Sequence, residues 1–294
     1  MYAELDGTRL FFDVDGPQWV PDGGQMRQRP VLLLLHGGPG GDHGSFKKIV
    51  GQLRDVAQLV YLDHRGSGRS DPVEIADCTL DNNIDDVERL RRHLGLESIS
   101  VLGSSYGGMV AQGYALRYPD NLDRLVLCAT APSYRFLAEA EDKVQRDGSA
   151  EQKLVCQWLW DGTFESLDQL KRYYRAMAPW YAVNFKEENF EESWSRGIRN
   201  FEQTNLGFSS FLREYDFTAE LGQLACPTLV LAGEQDWICS ADQSRQIAEL
   251  IPGAELHLFP EAAHSIADDA TDEFLRLVRS FLDSSYEERQ QSGL

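Results

Sequence analysis

The expected fold of this chain is α/β: a mainly parallel β-sheet with helices on both sides. Three observations carry that expectation. Short apolar runs alternate with stretches of helical periodicity along most of the sequence, as strand–helix–strand units require. The runs are uniformly apolar instead of alternating, the mark of strands covered on both faces. One strand also leads into Gly103-Ser104-Ser105-Tyr106-Gly107, a G-x-S-x-G at a strand-to-helix turn.

Taken in order, two alternating runs around an Asp6-Gly7 turn, the second being Leu10 to Val14, predict an opening hairpin. The segment from Asp15 to Pro30 is rich in Gly, Pro and Gln and reads as a loop. Val31 to Leu35 is the first buried strand. Val56–Leu62, Ser98–Leu102, Leu122–Ala129, Thr228–Ala232 and Glu255–Phe259 follow in the same style. Between them, helices are expected over Ser45–Leu53, over Leu80–Leu94 closed by Gly95, and over Gly108–Tyr118 closed before Pro119. Two more are expected over Ser240–Leu250, before Pro252, and Thr271–Leu282, with a polar, frayed tail from Asp283 to Leu294.

The alternation breaks between Pro132 and about Leu221. No strand-like run occurs there, and helices are predicted over Glu151–Trp160 and Leu167–Met177. This stretch holds 17 of the 31 aromatic residues, enough for a small helical core of its own with a few rings left to line a pocket. The expected organisation is therefore a core domain of residues 1–131 and 222–294 carrying a helical cap at 132–221.

Composition narrows the function. The net charge of −19 sets the surface against nucleic-acid phosphates and anionic lipid, so neither is expected as a partner. The N-terminal residues show no signal-peptide pattern, and no apolar run approaches the roughly 20 residues of a membrane span. Five cysteines without a C-x-x-C argue against a disulfide framework or a zinc site. A soluble, cytoplasmic protein is the expectation.

In the G-x-S-x-G turn the flanking glycines are needed because strand and helix pass too close for a Cβ. The exposed hydroxyl is Ser105, since Ser104 would need glycines where Leu102 and Tyr106 stand. A serine hydroxyl needs a base to take its proton and an acid to orient that base. Both are sought at the carboxyl ends of the strands, where open α/β sheets gather their functional groups. His264, directly after the last strand, is preferred as base over His257 inside that strand and His93 at a helix end. Asp236, after the fifth buried strand, is preferred as acid over Glu234 and Asp242. Oxyanion donors are expected from the backbone of Tyr106, opening the helix, and of Gly38 in the loop His36-Gly-Gly-Pro-Gly-Gly41. No G-K-[ST] follows that loop, and Gly66-Ser-Gly68 lacks the third glycine of a dinucleotide fingerprint, so no cofactor is implied. His36 and His43 are expected to hold the loop's shape.

His36-Gly-Gly-Pro-Gly40, Asp63-His-Arg-Gly-Ser-Gly-Arg-Ser70 and Gly103-Ser-Ser-Tyr-Gly-Gly108 together resemble the proline iminopeptidase branch of the α/β-hydrolases. The resemblance covers the sheet domain and implies a serine hydrolase with a helical cap and no metal. It carries over Ser105 as nucleophile, Asp236 as acid, His264 as base, and Gly38 with Tyr106 as oxyanion hole. Many iminopeptidases recognise the substrate's free amine with acids, one directly after the triad aspartate and one in the cap. Here those positions are Trp237 and, in Gly207-Phe-Ser-Ser210-Phe211, a serine. Glu202 and Glu214 are the cap acids that would substitute, and Trp237 points to a more apolar pocket. A small amide or peptide, an ester or lactone, and a receptor built on a hydrolase fold all remain open. The first two share the chemistry, and the partner is a small molecule or short peptide.

Overall fold

The computed structural model describes residues 1–5 and 7–292, with the side chains of Ser45 and 284–292 left aside. The chain opens with β1 (Tyr2–Leu5) and β2 (Thr8–Asp15), which pair antiparallel, as the alternating runs require. Asp6 of the expected turn lies outside the described residues. The segment expected to be a loop is instead a second hairpin, β3 (Trp19–Asp22) with β4 (Gln25–Gln28). Its signal is the Gly23-Gly24 pair between the strands, a turn chemistry favoured in two-residue hairpins, which the polar composition concealed.

The remaining elements follow the predicted alternation. They are β5 (Val31–Leu35), α1 (Gly44–Val50), β6 (Gln58–Leu62), α2 (Leu80–His93), β7 (Ile99–Ser104), α3 (Tyr106–Arg117) and β8 (Leu122–Cys128). Five helices come next: α4 (Phe136–Asp147), α5 (Ala150–Asp161), α6 (Leu167–Tyr181), α7 (Phe190–Ser195) and α8 (Phe201–Ser209). Then β9 (Thr228–Gly233), α9 (Ala241–Leu250), β10 (Glu255–Phe259), α10 (Ile266–Asp269) and α11 (Thr271–Ser292) complete the chain. Helix α11 runs on to Ser292 instead of stopping at Leu282, so Asp283–Ser292 of the expected frayed tail is helical, and residues 293–294 lie outside the described residues.

The main sheet has the order β1-β2-β6-β5-β7-β8-β9-β10, parallel from β6 to β10. Strand β5 shows why a continuous apolar run is needed. Val31, Leu33 and Leu35 face one core with α2 and α3, while Leu32 and Leu34 face the other with α1 and α11. Register then aligns the strand ends: Leu35 lies opposite Leu62 and Gly103, Ser104 opposite Cys128, and Gly233 opposite Phe259. The loops after β5, β6, β7, β9 and β10 therefore emerge along one edge.

The helical run α4–α8 leaves and returns at one point, where Ser133 and Asp216 pair as an isolated bridge. It is tied to the loops of the sheet edge. The Asn200 amide donates to Gly40 O (2.8 Å), and Thr204 Oγ1 donates to Pro39 O (2.9 Å). Gln203 Nε2 donates to Arg65 O (3.0 Å) and Gln203 Oε1 accepts from Ser67 Oγ (2.7 Å). At the other side the Ser265 amide donates to Tyr181 O (2.8 Å), at the end of α6. No helix among the described residues is long and apolar enough to cross a membrane.

Candidate active site

Ser105 stands between β7 and α3 with φ 56° and ψ −122°, a conformation that costs a non-glycine residue on the order of 1–3 kcal/mol. The surroundings hold it there. Its amide donates to Cys128 O (2.9 Å), and its carbonyl accepts from the Gly108 amide (2.9 Å) and Thr130 Oγ1 (2.8 Å). A Cβ on Gly103 would overlap the Gly107 carbonyl, and one on Gly107 would overlap the Leu35 carbonyl. The two motif glycines are thus required by close approach, as the sequence pattern implies. Tyr106 opens α3, so its amide has no carbonyl one turn earlier to bond and is left for a ligand.

His264 Nδ1 lies 2.7 Å from Asp236 Oδ2. Asp236 Oδ1 accepts from the amides of Ile238 (2.9 Å) and Cys239 (3.1 Å), which fixes the carboxylate in the turn after β9. A carboxylate only accepts, so this hydrogen bond is donated by Nδ1 and leaves Nε2 as the ring's other edge. Ser105, His264 and Gly38 line a single cavity of about 240 Å³. Its walls are largely apolar, with Phe136 and Leu159 from the helical segment and Cys128 and Ile238 from the sheet edge.

The profile of the α/β-hydrolase fold matches residues 30–271. A proline iminopeptidase, PfmaB, of Pestalotiopsis fici is 30% identical over 96% of this chain and 99% of its own length. The chain belongs to the α/β-hydrolases, in the proline iminopeptidase-like branch. A proline iminopeptidase of Saccharolobus solfataricus is 28% identical, covering 87% of this chain and 85% of its own. A cis-3-alkyl-4-alkyloxetan-2-one decarboxylase of Shewanella oneidensis is 27% identical, with 87% and 82% covered. Among solved structures, the Mycobacterium smegmatis proline iminopeptidase superposes with TM-score 0.76 at 23% identity, over 97% of each chain. An Exiguobacterium antarcticum esterase gives 0.75 at 20%, over 96% and 98%. At those identities the two structures speak for the fold alone.

The substrate-contact expectations for this hydrolase need correction. Trp237 is buried (1% exposed) and does not line the cavity; it packs against Trp160, Trp180 and Tyr181 behind the wall. Its neighbours Ile238 and Cys239 face the cavity instead, because the turn that bonds their amides to Asp236 turns the indole inward. Glu202 and Glu214 are exposed and lie outside the cavity. Glu202 sits in the first turn of α8, whose opposite face, with Gln203 and Thr204, is the one pressed on the sheet edge.

The histidines near the glycine-rich loop behave as expected. His36 Nδ1 bonds Gly37 O (2.8 Å) and its Nε2 accepts from the His64 amide (3.1 Å), while burial pushes its pKa down and keeps it neutral. His43 bonds Asp63 Oδ1 through Nδ1 (2.6 Å) and through its amide (2.9 Å). Burial alone would raise the Asp63 carboxyl, but the His43 hydrogen bonds together with the Coulombic pull of His36 and His43 outweigh it and leave the group at about 2. Asp63 also accepts from the Arg69 amide (2.9 Å), and Arg69 Nη1 reaches Asp42 Oδ2 (2.9 Å). The Asp63–Ser70 motif is thereby a brace for the loop that carries Gly38.

Three charged residues on the cavity wall escaped sequence reasoning: Asp42, Arg199 and Asp268. Asp42 directly follows the glycine-rich loop, a position that could have flagged it. Arg199 carries no local signal, since only packing brings it to the cavity.

Proposed function

We propose that this protein is a serine hydrolase that opens small, largely apolar acyl substrates through an acyl-enzyme on Ser105. The observation that carries this reading is the meeting of the strained Ser105 turn and the Asp236-bound His264 on one cavity. His264 Nε2 takes the Ser105 proton as Oγ attacks the carbonyl carbon. The amides of Gly38 and Tyr106 receive the negative oxygen of the tetrahedral intermediate. The intermediate collapses as His264 returns the proton to the leaving group. Water, deprotonated by the same imidazole, then cleaves the acyl-enzyme and restores Ser105. Residues 132–221 act as a cap over residues 1–131 and 222–294, supplying the apolar half of the acyl pocket.

Esters and lactones are the preferred substrates on this reading. The acids expected to hold a free amine lie outside the cavity, and the Trp237 position supplies none. Of the two acids on the wall, Asp42 is bonded to Arg69 and Asp268 lies near Arg196 and Lys48. A small amide or peptide is the second reading, favoured by the iminopeptidase relatives. A fluorophosphonate probe should label wild-type protein and leave Ser105→Ala unlabelled. Folded wild-type protein that resists the probe would exclude the acyl-enzyme. A panel of proline-4-nitroanilide, nitrophenyl esters and acyl lactones separates the bond types. Turnover confined to the free-amine substrate would overturn the ester preference.

A further inference from the structure

Arginines in this acidic chain are mostly held by carboxylates. Arg196 pairs with Glu192 (2.9 Å), Arg175 with Glu191 (2.5 Å) and Arg69 with Asp42 (2.9 Å). Arg199 is different. Its Nη1 donates to the backbone carbonyls of Trp194 (2.7 Å) and Gly197 (3.0 Å), and no carboxylate reaches salt-bridge distance among the described residues. The guanidinium carbon lies 4.1 Å from the Trp194 ring centroid and 5.6 Å from that of Tyr174. Two carbonyls and two rings therefore fix the plane of the group while leaving its Nε and Nη2 donors unbonded by protein. It lines the cavity that holds Ser105.

We propose that Arg199 selects substrates that carry a carboxylate on the non-reacting end. The proposal rests on the hydrolase reading for the meaning of "non-reacting". The chemistry is that of a planar fork. A guanidinium with one free edge matches the two oxygens of a carboxylate, and the charged hydrogen bonds are strong where water is scarce. Other acids in the cavity do not take this role. Asp42 acts on Arg199 only through space, its oxygens being bonded to Arg69 Nη1 and the Gly44 amide, and Asp268 feels Arg196 and Lys48. Burial, with repulsion from Arg196, holds the Arg199 guanidinium below its ordinary range, and the nearby Asp42 carboxylate only partly offsets it.

The test is binding to the Ser105→Ala protein, so that hydrolysis does not interfere, with monomethyl glutarate and its neutral counterpart dimethyl glutarate. Calorimetry should give a Kd about ten- to a hundredfold lower for the monoester. Adding Arg199→Gln should erase that ratio, and Arg199→Lys should restore part of it. Equal Kd values for the two esters, or a preference for the monoester that survives Arg199→Gln, would overturn the proposal. If the Gln variant fails to fold, the ratio in Ser105→Ala and its change in Arg199→Lys decide alone. A carboxylate preference in a protein that the fluorophosphonate probe cannot label would sink the hydrolase reading and leave this one standing. Labelling without the preference would do the reverse.

Discussion

At Ser105 a costly backbone conformation persists because β8, the loop just beyond it and β5 impose it. Cys128 of β8 and Thr130 just beyond it bond its amide and carbonyl, and Leu35 of β5 leaves no room for a side chain at 107. Asp63 shows the same logic applied to charge. It is fully buried, yet the His43 hydrogen bonds and the Coulombic pull of His36 and His43 hold its carboxyl at about 2, below the ordinary aspartate value of 3.8. A depressed carboxyl stabilises the fold above its unfolded pKa, and that contribution is lost as pH falls through the folded value. The window is therefore from about pH 4 down to about pH 2, and the contribution is roughly 2 kcal/mol. Asp63→Asn should be less stable at neutral pH, and its deficit relative to wild type should shrink across that window. Urea unfolding at several pH values reads the difference, and a deficit that does not change with pH would count against the assignment.

Helix α8 is the element on which the cavity depends. Asn200, Gln203, Thr204 and Gly207 all meet the loops after β5 and β6 on one face, so the helix and the Gly38 loop move as a unit. A Cβ on Gly207 would overlap the Pro39 ring, which cannot swing aside. Gly207→Ala should cost on the order of 1–3 kcal/mol. It should also lower kcat more than it raises KM, since the Gly38 amide is carried on the displaced loop. Gly222→Ala, whose added methyl would meet only the Leu250 carbonyl at 3.7 Å, should stay within about 0.5 kcal/mol of wild type. Denaturant midpoints and steady-state kinetics on the two variants test the claim. Equal behaviour would show that the loop does not depend on α8.

For the whole molecule, 47 acidic against 28 basic residues leave a net charge of −19 and a surface that repels itself. Salt screens that repulsion over a Debye length of about 10 Å at 0.1 M. Raising the salt from a few tens of millimolar to about 0.5 M should raise Tm by about 2 °C or more, corresponding to on the order of 1 kcal/mol. A fall in Tm would mean that the many exposed ion pairs outweigh the net repulsion. The same excess of acid explains why a guanidinium without a carboxylate, such as Arg199, stands out.

The strand–helix alternation, the Ser105 turn, and the placement of Asp236, His264 and the Gly38 loop at strand ends were legible in the residues because each obeys a local rule. A strand covered on both faces must be apolar throughout, and a serine in a strand-to-helix turn needs glycines beside it. Parallel register then brings the strand ends to one edge. The β3–β4 hairpin was also written locally, in Gly23-Gly24, but masked by composition. The cavity wall was not legible. Whether Trp237 faces substrate or core depends on which amides Asp236 captures, and whether Glu202 or Arg199 reaches Ser105 depends on how the helical segment sits on the sheet. Those are contacts between residues distant in sequence, set by side-chain packing, and periodicity along one chain carries no information about them. The reaction chemistry is thus local in the sequence, and the choice of substrate belongs to the tertiary structure.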